Sequence, residues 1–263
     1  MFNKISSKEN VNIKETVKLL KDSNIRKKKE LFVIEGFRIC LDALLNNVSI
    51  KKVFFTEEIY CKHKNDILNI INKSTYSYCV TDKIMSLISD TSTHQGIVCV
   101  CKIIKNDFNF NNFNKIVVLE NIQNPINLGT ILRTCDAMGI NAILISENSC
   151  DVYNPKVLRG SMGSAFHLPI IKTTNLAESL IKLKNNDFET YAMILDNEAI
   201  PINKLTKKDK IAILIGNEGN GLKSETINLC TQKITIPMKG KSESLNAAVA
   251  ASIAIWEITQ DEM

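Results

Sequence analysis

The sequence predicts an α/β protein whose C-terminal half holds an open parallel sheet, and three observations support this fold class. Apolar runs alternate with helical patterns after residue 114, which is the rhythm of repeated β-α units. Most of these runs are apolar at every position, as strands buried on both faces of a sheet require. Three of the runs are followed by turns rich in glycine, asparagine or serine that open helices. Periodicity supports nothing finer than an open parallel sheet.

The elements of the N-terminal part predict a smaller α/β domain over residues 1–104. Ile13, Val17 and Leu20 recur at the spacing of a helix. Asp82 is expected to be the N-cap of a later helix. Further helices are expected at residues 37–45 and 67–71, and strands at residues 31–34, 50–55, 76–80 and 96–103.

Residues 105–114 are rich in asparagine and lack a clear period, which indicates a linker. Phenylalanines at positions 108, 110 and 113 are expected to pack this linker against one of the domains it joins. The second domain then spans residues 115–263. Its expected strands are the apolar runs at residues 116–119, 142–145, 168–171, 191–195, 211–215 and 234–236.

Composition is that of a globular protein with packed cores. Of the 263 residues, 44% are hydrophobic and 23% are charged. The apolar runs stop short of the ~18 residues that cross a bilayer, and residues 1–10 lack the apolar segment of a signal peptide. We therefore expect a cytoplasmic protein that does not act at a membrane. The net charge of +5 permits a nucleic-acid partner without requiring one.

The eight cysteines are scattered along the chain and form no C-x-x-C pair, which excludes a zinc ribbon and a thioredoxin motif. We expect buried, reduced thiols, no metal site and no covalent intermediate on cysteine.

Polar residues and glycines follow three of the expected strands at fixed spacings. Strand by strand, they are Asn127, Gly129 and Arg133; Gly216, Glu218 and Gly221; and Ser244 and Asn246, which flank the apolar Leu245. Because ligands of parallel sheets bind outside the carboxyl ends of the strands, the three turns predict one shared site. The glycine-rich turn at residues 216–221 lacks the G-K-[ST] ending of a phosphate-binding loop, which argues against a nucleotide hydrolase.

In order and content these turns resemble the motifs of the SpoU (TrmH) family of RNA 2′-O-ribose methyltransferases, within the SPOUT superfamily. The motifs are N-x-G-x-x-x-R, a strand followed by G-x-E-x-x-G, and a strand ending in proline followed by S-L-N. The resemblance covers residues 114–260. It implies a deep trefoil knot in the parallel sheet, S-adenosylmethionine (AdoMet) as the methyl donor, and a homodimer whose active site draws on both subunits.

The N-terminal part also resembles that family's accessory domain. Glu35-Gly36 follows an apolar run as in the family signature, with Asp42 in place of its later glutamate, and Gln95-Gly96 resembles the closing turn. That domain is similar to ribosomal RNA-binding proteins, so the resemblance implies that residues 1–104 bind the RNA substrate.

Site residues are carried over from the family motif by motif. The resemblance implies that the AdoMet pocket is lined by Leu214, Ile215, Gly216, Ile236, Met238, Ser244, Leu245 and Ala247. It assigns catalysis to Arg133, Asn127, Glu218, Ser244 and Asn246. Candidate RNA contacts are Arg26, Lys27, Lys28, Arg38 and Arg159, although a basic run is also typical of a solvated surface.

Several roles stay open at this point. Arg133 either activates the 2′-hydroxyl, as the resemblance implies, or binds a phosphate and so orients the 2′-hydroxyl. The second role is open because arginine is a poor base and binds phosphates well. Asn127 and Asn246 are either site residues or helix N-caps. Glu218 either orients Arg133 or accepts hydrogen bonds from loop amides. Ser244 either orients the ribose or caps the last helix.

The last expected helix places Leu245, Val249, Ile253 and Trp256 on one face. This face fits a dimer interface or the core of one subunit. The function expected from the resemblance is methyl transfer to a ribose of ribosomal RNA. Alternatives are a transfer-RNA methyltransferase, a ribosomal-RNA methyltransferase that confers antibiotic resistance, and an RNA-binding protein without activity.

Overall fold

The computed structural model describes residues 2–106, 109–196, 198–206 and 208–260. The chain divides into two compact units. The first unit consists of Met1–Lys105 with Tyr153–Phe166, and the second consists of Asn106–Val152 with His167–Met263. In the expected linker, residues from Asn106 onwards cluster with the second unit, while positions 107 and 108, including the phenylalanine, lie outside the described residues.

The first unit contains a five-stranded mixed sheet. Its strands are β1 (Asn3–Ile5), β2 (Leu31–Glu35), β3 (Ile50–Phe55), β4 (Tyr76–Val80) and β5 (Ile97–Lys102), in the spatial order β1-β4-β3-β5-β2. Strand β5 runs antiparallel to both of its neighbours, β3 and β2. Its helices are α1 (Val11–Lys21), α2 (Ser23–Lys29), α3 (Phe37–Leu45), α4 (Glu57–Lys62), α5 (Lys64–Lys73) and α6 (Asp82–Leu87).

Local details of the first unit differ from the prediction. Thr81 is the N-cap of α6, because its hydroxyl accepts a hydrogen bond from the Ile84 amide, and Asp82 is the first helical residue. Strand β1 and helix α2 were not expected. Helix α2 begins at an N-cap formed by Asp22, whose carboxylate accepts a hydrogen bond from the Asn24 amide at 2.8 Å.

The second unit contains a seven-stranded, all-parallel sheet. Its strands are β6 (Lys115–Leu119), β7 (Ala142–Ser146), β8 (Ile170–Thr173), β9 (Glu189–Met193), β10 (Ile200–Pro201), β11 (Ile211–Ile215) and β12 (Gln232–Thr235). Their spatial order is β10-β12-β9-β11-β6-β7-β8. The α-helices among its described residues are α7 (Pro125–Ala137), α9 (Leu176–Lys184), α10 (Ser224–Leu229) and α11 (Ala247–Thr259).

Strands β11, β6 and β7 are neighbours inside this sheet, and each of their residues is buried. The predicted parallel sheet of strands buried on both faces is therefore confirmed. Phe113 is buried in the core of the second unit and Phe110 packs against the same core, as expected for these two phenylalanines.

Residues 153–166 belong to the first unit although they lie between two strands of the second. They include α8 (Pro155–Ser161). The ring of Tyr153 packs on Phe32 with centroids 4.4 Å apart, and the Arg159 guanidinium forms an ion pair with Asp90 at 2.6 Å. A Cβ on Gly163 would lie 2.1 Å from an Asp42 carboxylate oxygen, so the segment approaches α3 closely.

The order of strands in the second unit creates a topological switch point. After β6 the chain proceeds through β7 to β8 on one side, and then continues at β9 on the other side, next to β11. The carboxyl ends of β6 and β11 therefore lie side by side, and the chains leave them in opposite directions. In open α/β sheets this is the position where ligands bind.

Candidate active site

Asn127 joins the three predicted turns. It lies in the first turn of α7, after β6, and is buried. Its amide nitrogen donates a hydrogen bond to the Glu218 carboxylate at 3.0 Å, and its amide oxygen accepts one from Asn246 at 3.0 Å. The expected adjacency of the turns is thus confirmed, because one side chain reaches both of the others.

Glu218 binds the N-terminal end of α7. Its carboxylate accepts hydrogen bonds from the backbone amides of Gln123 at 3.1 Å and Asn124 at 2.9 Å. These amides lie at the positive end of the helix dipole, where a carboxylate is favoured. Of the two roles left open for Glu218, the structure shows acceptance from loop amides.

These contacts decide the ionisation of Glu218. Partial burial raises the pKa of its carboxyl group, but the amides of Gln123 and Asn124 and the side chain of Asn127 lower it. The pKa of Glu218 lies below its usual value as a result. The carboxylate is therefore ionised at neutral pH and holds the second turn against the first.

We expect Glu218→Gln to lower the melting temperature at pH 7 by about 2–4 °C, the equivalent of about 1 kcal/mol. Glutamine replaces one of the two carboxylate oxygens with an NH2 group. That group would face the N–H donors at the N-terminal end of α7 and could not accept their hydrogen bonds. Because the folded pKa of Glu218 is lowered, its contribution is present above the unfolded value of ~4.3 and is lost as the pH falls through the folded value. The difference in melting temperature should therefore shrink in acid.

Thermal unfolding of both proteins between pH 3 and pH 8 measures this difference. Glu225→Gln is the matched control, since Glu225 is a solvent-exposed glutamate of the same unit with one long ion pair to Lys223. If the difference in melting temperature between the wild type and Glu218→Gln did not change with pH, an ionised Glu218 that stabilises the end of α7 would be contradicted.

The two candidate helix caps behave differently. Asn246 is the N-cap of α11, and its side-chain oxygen accepts hydrogen bonds from the amides of Ala248 at 2.9 Å and Val249 at 3.3 Å. It therefore combines capping with its bond to Asn127. Asn127 is not an N-cap, because Asn124 occupies that position in α7. Ser244 is exposed and does not cap α11.

The second turn folds back on itself. Asn217 and Gly221 exchange backbone hydrogen bonds of 3.0 and 2.9 Å, and Gly221 has a φ of 66°. The Asn217 side chain accepts hydrogen bonds from the amides of Gly219 and Asn220. A Cβ on Gly216 would lie 2.2 Å from the carbonyl carbon of Gly221, so only glycine fits there.

Sequence reasoning missed two residues that hold these turns. The Asn217 side chain donates a hydrogen bond to the carbonyl of Asn121 at 2.8 Å. The buried Glu120 carboxylate accepts hydrogen bonds from the Lys223 amide at 2.9 Å and the Thr226 hydroxyl at 2.8 Å. A signal was present for Glu120, because it is a carboxylate that directly ends an apolar strand.

Arg133 lies on α7 two turns after the N-terminus and is exposed. Its side chain has no hydrogen-bond or ion-pair partner within the part of the chain that the structure describes. Its orientation by Glu218, one of the two alternatives, is not observed. Ile126 and Thr130 share its exposed face of α7, and the guanidinium is available to a bound anion.

The residues expected to line the cofactor pocket form two groups. Leu214, Ile215 and Gly216 are buried at the end of β11. The others follow β12 and are partly buried or exposed, namely Ile236, Met238, Ser244, Leu245 and Ala247. The partly buried apolar side chains of Ile236 and Met238 suit the flat ring of a ligand.

One of the expected RNA contacts is wrong. Arg26 is only 3% exposed, and its guanidinium donates hydrogen bonds to the carbonyl oxygens of Leu19 at 2.6 Å and Leu20 at 3.2 Å, near the end of α1. It satisfies helix carbonyls that would otherwise lack partners, so it is not free for phosphate. Lys27, Lys28 and Arg38 are exposed. Their binding of RNA, like that of Arg159, stays a prediction.

The cysteines are free thiols, and most of them are buried, although Cys61 is exposed. Burial raises the pKa of Cys150 to about 12, which leaves it protonated at neutral pH. Among the described residues, no group of three or more histidine, cysteine or acidic side chains is placed to hold a metal ion. The same residues include no helix long and apolar enough to cross a bilayer.

Linked polar turns at the switch point of a parallel sheet define an α/β protein that binds its ligand at the carboxyl edge. Comparison with known proteins makes this class specific. The SpoU rRNA Methylase family model matches residues 114–256, and the MRM3-like substrate binding domain model matches residues 10–99.

Similar proteins match over nearly the whole chain. The 23S rRNA (guanosine(2553)-2′-O)-methyltransferase RlmP of Bacillus subtilis is 30% identical over 254 residues, which cover 97% of this chain and 98% of that protein. The AdoMet-bound rRNA methyltransferase of Sinorhizobium meliloti superposes with a TM-score of 0.88 at 24% identity, covering 100% and 99% of the two chains. AviRb of Streptomyces viridochromogenes, in complex with AdoMet, gives 0.85 at 21% identity, with 97% and 98% covered.

The chain belongs to the SpoU rRNA methylase family. Members of this family are RNA 2′-O-ribose methyltransferases that take the methyl group from AdoMet. The family resemblance seen in the three motifs is thereby confirmed.

Proposed function

We propose that this protein transfers a methyl group from AdoMet to a ribose 2′-hydroxyl of ribosomal RNA. The observation that carries the proposal is the pair of hydrogen bonds by which Asn127 joins Glu218 and Asn246 at the carboxyl edge of the sheet. A relative of almost equal length, named for a 2′-O-methylation of 23S rRNA, supports ribosomal RNA as the substrate. That substrate would place the activity in the cytoplasm.

The cofactor would be held by the end of β11 and the loop between β12 and α11. Buried backbone at Leu214, Ile215 and Gly216 offers polar groups to the adenine edge, and Ile236 and Met238 offer apolar surface to its ring. Ser244, Leu245 and Ala247 would complete the pocket. When bound, AdoMet supplies a methyl group attached to a positively charged sulfur. The deep trefoil knot implied by the family is part of this proposal.

The catalytic roles follow from what each side chain already contacts. Glu218, Asn127 and Asn246 bind one another and the ends of α7 and α11, so they position the turns. Arg133 is exposed and has no acidic partner among the described residues, which suits a bidentate grip on an RNA phosphate beside the reacting ribose. That grip would orient the 2′-hydroxyl, and Ser244 would contact the ribose.

Two arms of one experiment test the substrate. Purified protein is incubated with labelled AdoMet and, separately, with ribosomal RNA and transfer RNA from a strain that lacks this gene. Label in one ribosomal RNA is the expected result. Label confined to transfer RNA would show that transfer RNA is the substrate. Label in neither RNA, from a protein that binds AdoMet, would contradict the proposal that ribosomal RNA is methylated.

A homodimer is the assembly we propose. Helix α11 buries Ala248, Ala251 and Ile255 within its own unit, where it packs on α7 and β11. Its other face exposes Val249, Ile253 and Trp256, and Leu245 is exposed just before the N-cap; these large apolar side chains are 37–48% accessible. Such a row on a helix that is otherwise packed fits a second copy of the chain.

We expect Val249→Lys to convert the dimer into a monomer and to reduce methyl transfer at least tenfold, since a lysine pair would be buried at the two-fold contact. Light scattering after size-exclusion chromatography measures the mass. Val11→Lys, at a valine that is 75% exposed on α1, is the matched control and should leave the mass unchanged. A wild-type monomer would contradict the proposed assembly.

A further inference from the structure

The first unit contains a cleft of 810 Å³ that the methyl-transfer site does not use. It lies at the end of the sheet where β2, β3 and β4 begin and β5 ends. Its volume falls within the ~300–1,000 Å³ of typical ligand sites.

The cleft is strongly basic. Its lining includes five lysines, at positions 29, 51, 52, 102 and 105, and two acidic residues, Glu15 and Glu30, which leaves a surplus of three positive charges. Lys29 and Lys52 each lie 2.5 Å from Glu15, and Lys105 lies 2.8 Å from Glu30. The acidic groups are therefore already matched within the cleft.

Two of the lysines remain available to a ligand. The ammonium groups of Lys51 and Lys102 make no hydrogen bond and no ion pair with any described residue, although the charge of Lys102 contributes to the lowered pKa of Glu30. Lys51 is the extra residue of a β-bulge, because Ile50 faces Cys101 and Lys52 faces Val100 across β5. Bulges redirect a side chain out of the regular alternation of a strand. Lys102 is held at the end of β5, where its amide donates a hydrogen bond to the carbonyl of Ser49.

An aromatic ring stands beside these charges. Tyr76 is the first residue of β4, lies opposite Lys52 and is 56% exposed. Phe32, Phe54 and Phe55 of the same unit are instead fully buried. An exposed ring next to unmatched lysines is the combination that binds single-stranded nucleic acid, because the ring stacks on a base while the lysines contact phosphates.

We propose that this cleft binds a single-stranded segment of the RNA substrate, with Lys51 and Lys102 at its phosphates and Tyr76 stacked on a base. The inference rests on the proposed function, since it adds a capture site to the same reaction. A small anion would not use the ring, and a double helix has its bases stacked and closed to it.

Binding of a fluorescein-labelled single-stranded RNA of mixed sequence to the full chain tests the charges. We expect Lys51→Gln with Lys102→Gln to weaken binding about tenfold at low salt. The slope of log Kd against log salt should fall by about 1.4, because each phosphate contact contributes about 0.7. Lys62→Gln with Lys83→Gln removes two exposed lysines outside the cleft and is the matched control. A slope equal to that of the control would overturn the proposal.

The ring is tested with the same RNA carrying 2-aminopurine, whose fluorescence is quenched by stacking. We expect Tyr76→Ala to weaken binding about fivefold or more and to reduce the quenching. Tyr76→Phe should retain both properties, because it keeps the ring. Equal quenching by the wild type and Tyr76→Ala would remove the tyrosine from the site.

Methyl transfer separates this inference from the function on which it rests. The cleft variants should raise KM for RNA and leave kcat at saturating RNA unchanged. If the wild type binds the RNA probe but methylates no RNA, the proposed function fails. The binding measurements on the lysine and tyrosine variants still show whether the cleft binds RNA. If the wild type methylates RNA and the cleft variants bind the probe as it does, only the cleft fails.

Discussion

Gly216→Ala is expected to weaken AdoMet binding at least thirtyfold. The added methyl group would lie 2.2 Å from the Gly221 carbonyl carbon and 2.3 Å from the Leu222 amide nitrogen. Both are backbone atoms, so no side-chain rotation relieves the overlap. The turn would have to open, which breaks the paired hydrogen bonds between Asn217 and Gly221 and moves Glu218 away from α7.

Isothermal titration with AdoMet measures this effect, and we expect the affinity to fall at least thirtyfold. Gly240→Ala is the matched control, since a Cβ there meets no atom within 4 Å. It lies in the loop before α11 and should bind AdoMet within about threefold of the wild type. Normal binding by Gly216→Ala would mean that the turn at residues 216–221 does not form the pocket.

Arg133→Ala is expected to reduce methyl transfer at least a thousandfold while AdoMet binding stays normal. The side chain is exposed and has no hydrogen bond or ion pair to the described residues, so its removal should leave the fold intact. What is lost is the group that we propose to hold a phosphate beside the reacting ribose. Losing an aligned contact of this kind affects the reacting geometry more than the affinity for RNA.

Arg133→Lys separates the two possible roles of this residue. Lysine keeps the charge and loses the planar pair of donors. If Arg133 anchors a phosphate, Arg133→Lys should recover part of the rate with an unchanged dependence on pH. A general base at this position would instead give a rate that rises with pH through its own pKa, and lysine would shift that profile.

The parallel sheet was predictable from sequence because burial on both faces leaves a simple signal. The strands β6, β7 and β11 are short apolar runs, and all their residues are buried inside the sheet, as expected. The meeting of the three turns was predictable for a related reason, since carboxyl ends of parallel strands share one edge. Which atoms join the turns was not predictable, because it depends on the position of Asn127 inside α7.

The mistaken expectations have physical causes that lie outside local sequence. Thr81 and Asp82 are both good N-cap residues, and only the backbone conformation decides between them. Arg26 belongs to a basic run whose other members are exposed. Its side chain is drawn inward by carbonyl groups near the end of a different helix. Residues 153–166 lie between two strands of the second unit, yet their packing partners come from the first unit.

The most direct test of the central claim is nucleoside analysis of ribosomal RNA after incubation with methyl-deuterated AdoMet. RNA from a strain that lacks this gene is digested completely and analysed by mass spectrometry. We predict the label in one 2′-O-methylated nucleoside for the wild type, and none for Arg133→Ala. Label on a base, or no label in ribosomal RNA despite normal AdoMet binding, would contradict 2′-O-ribose methylation of this substrate.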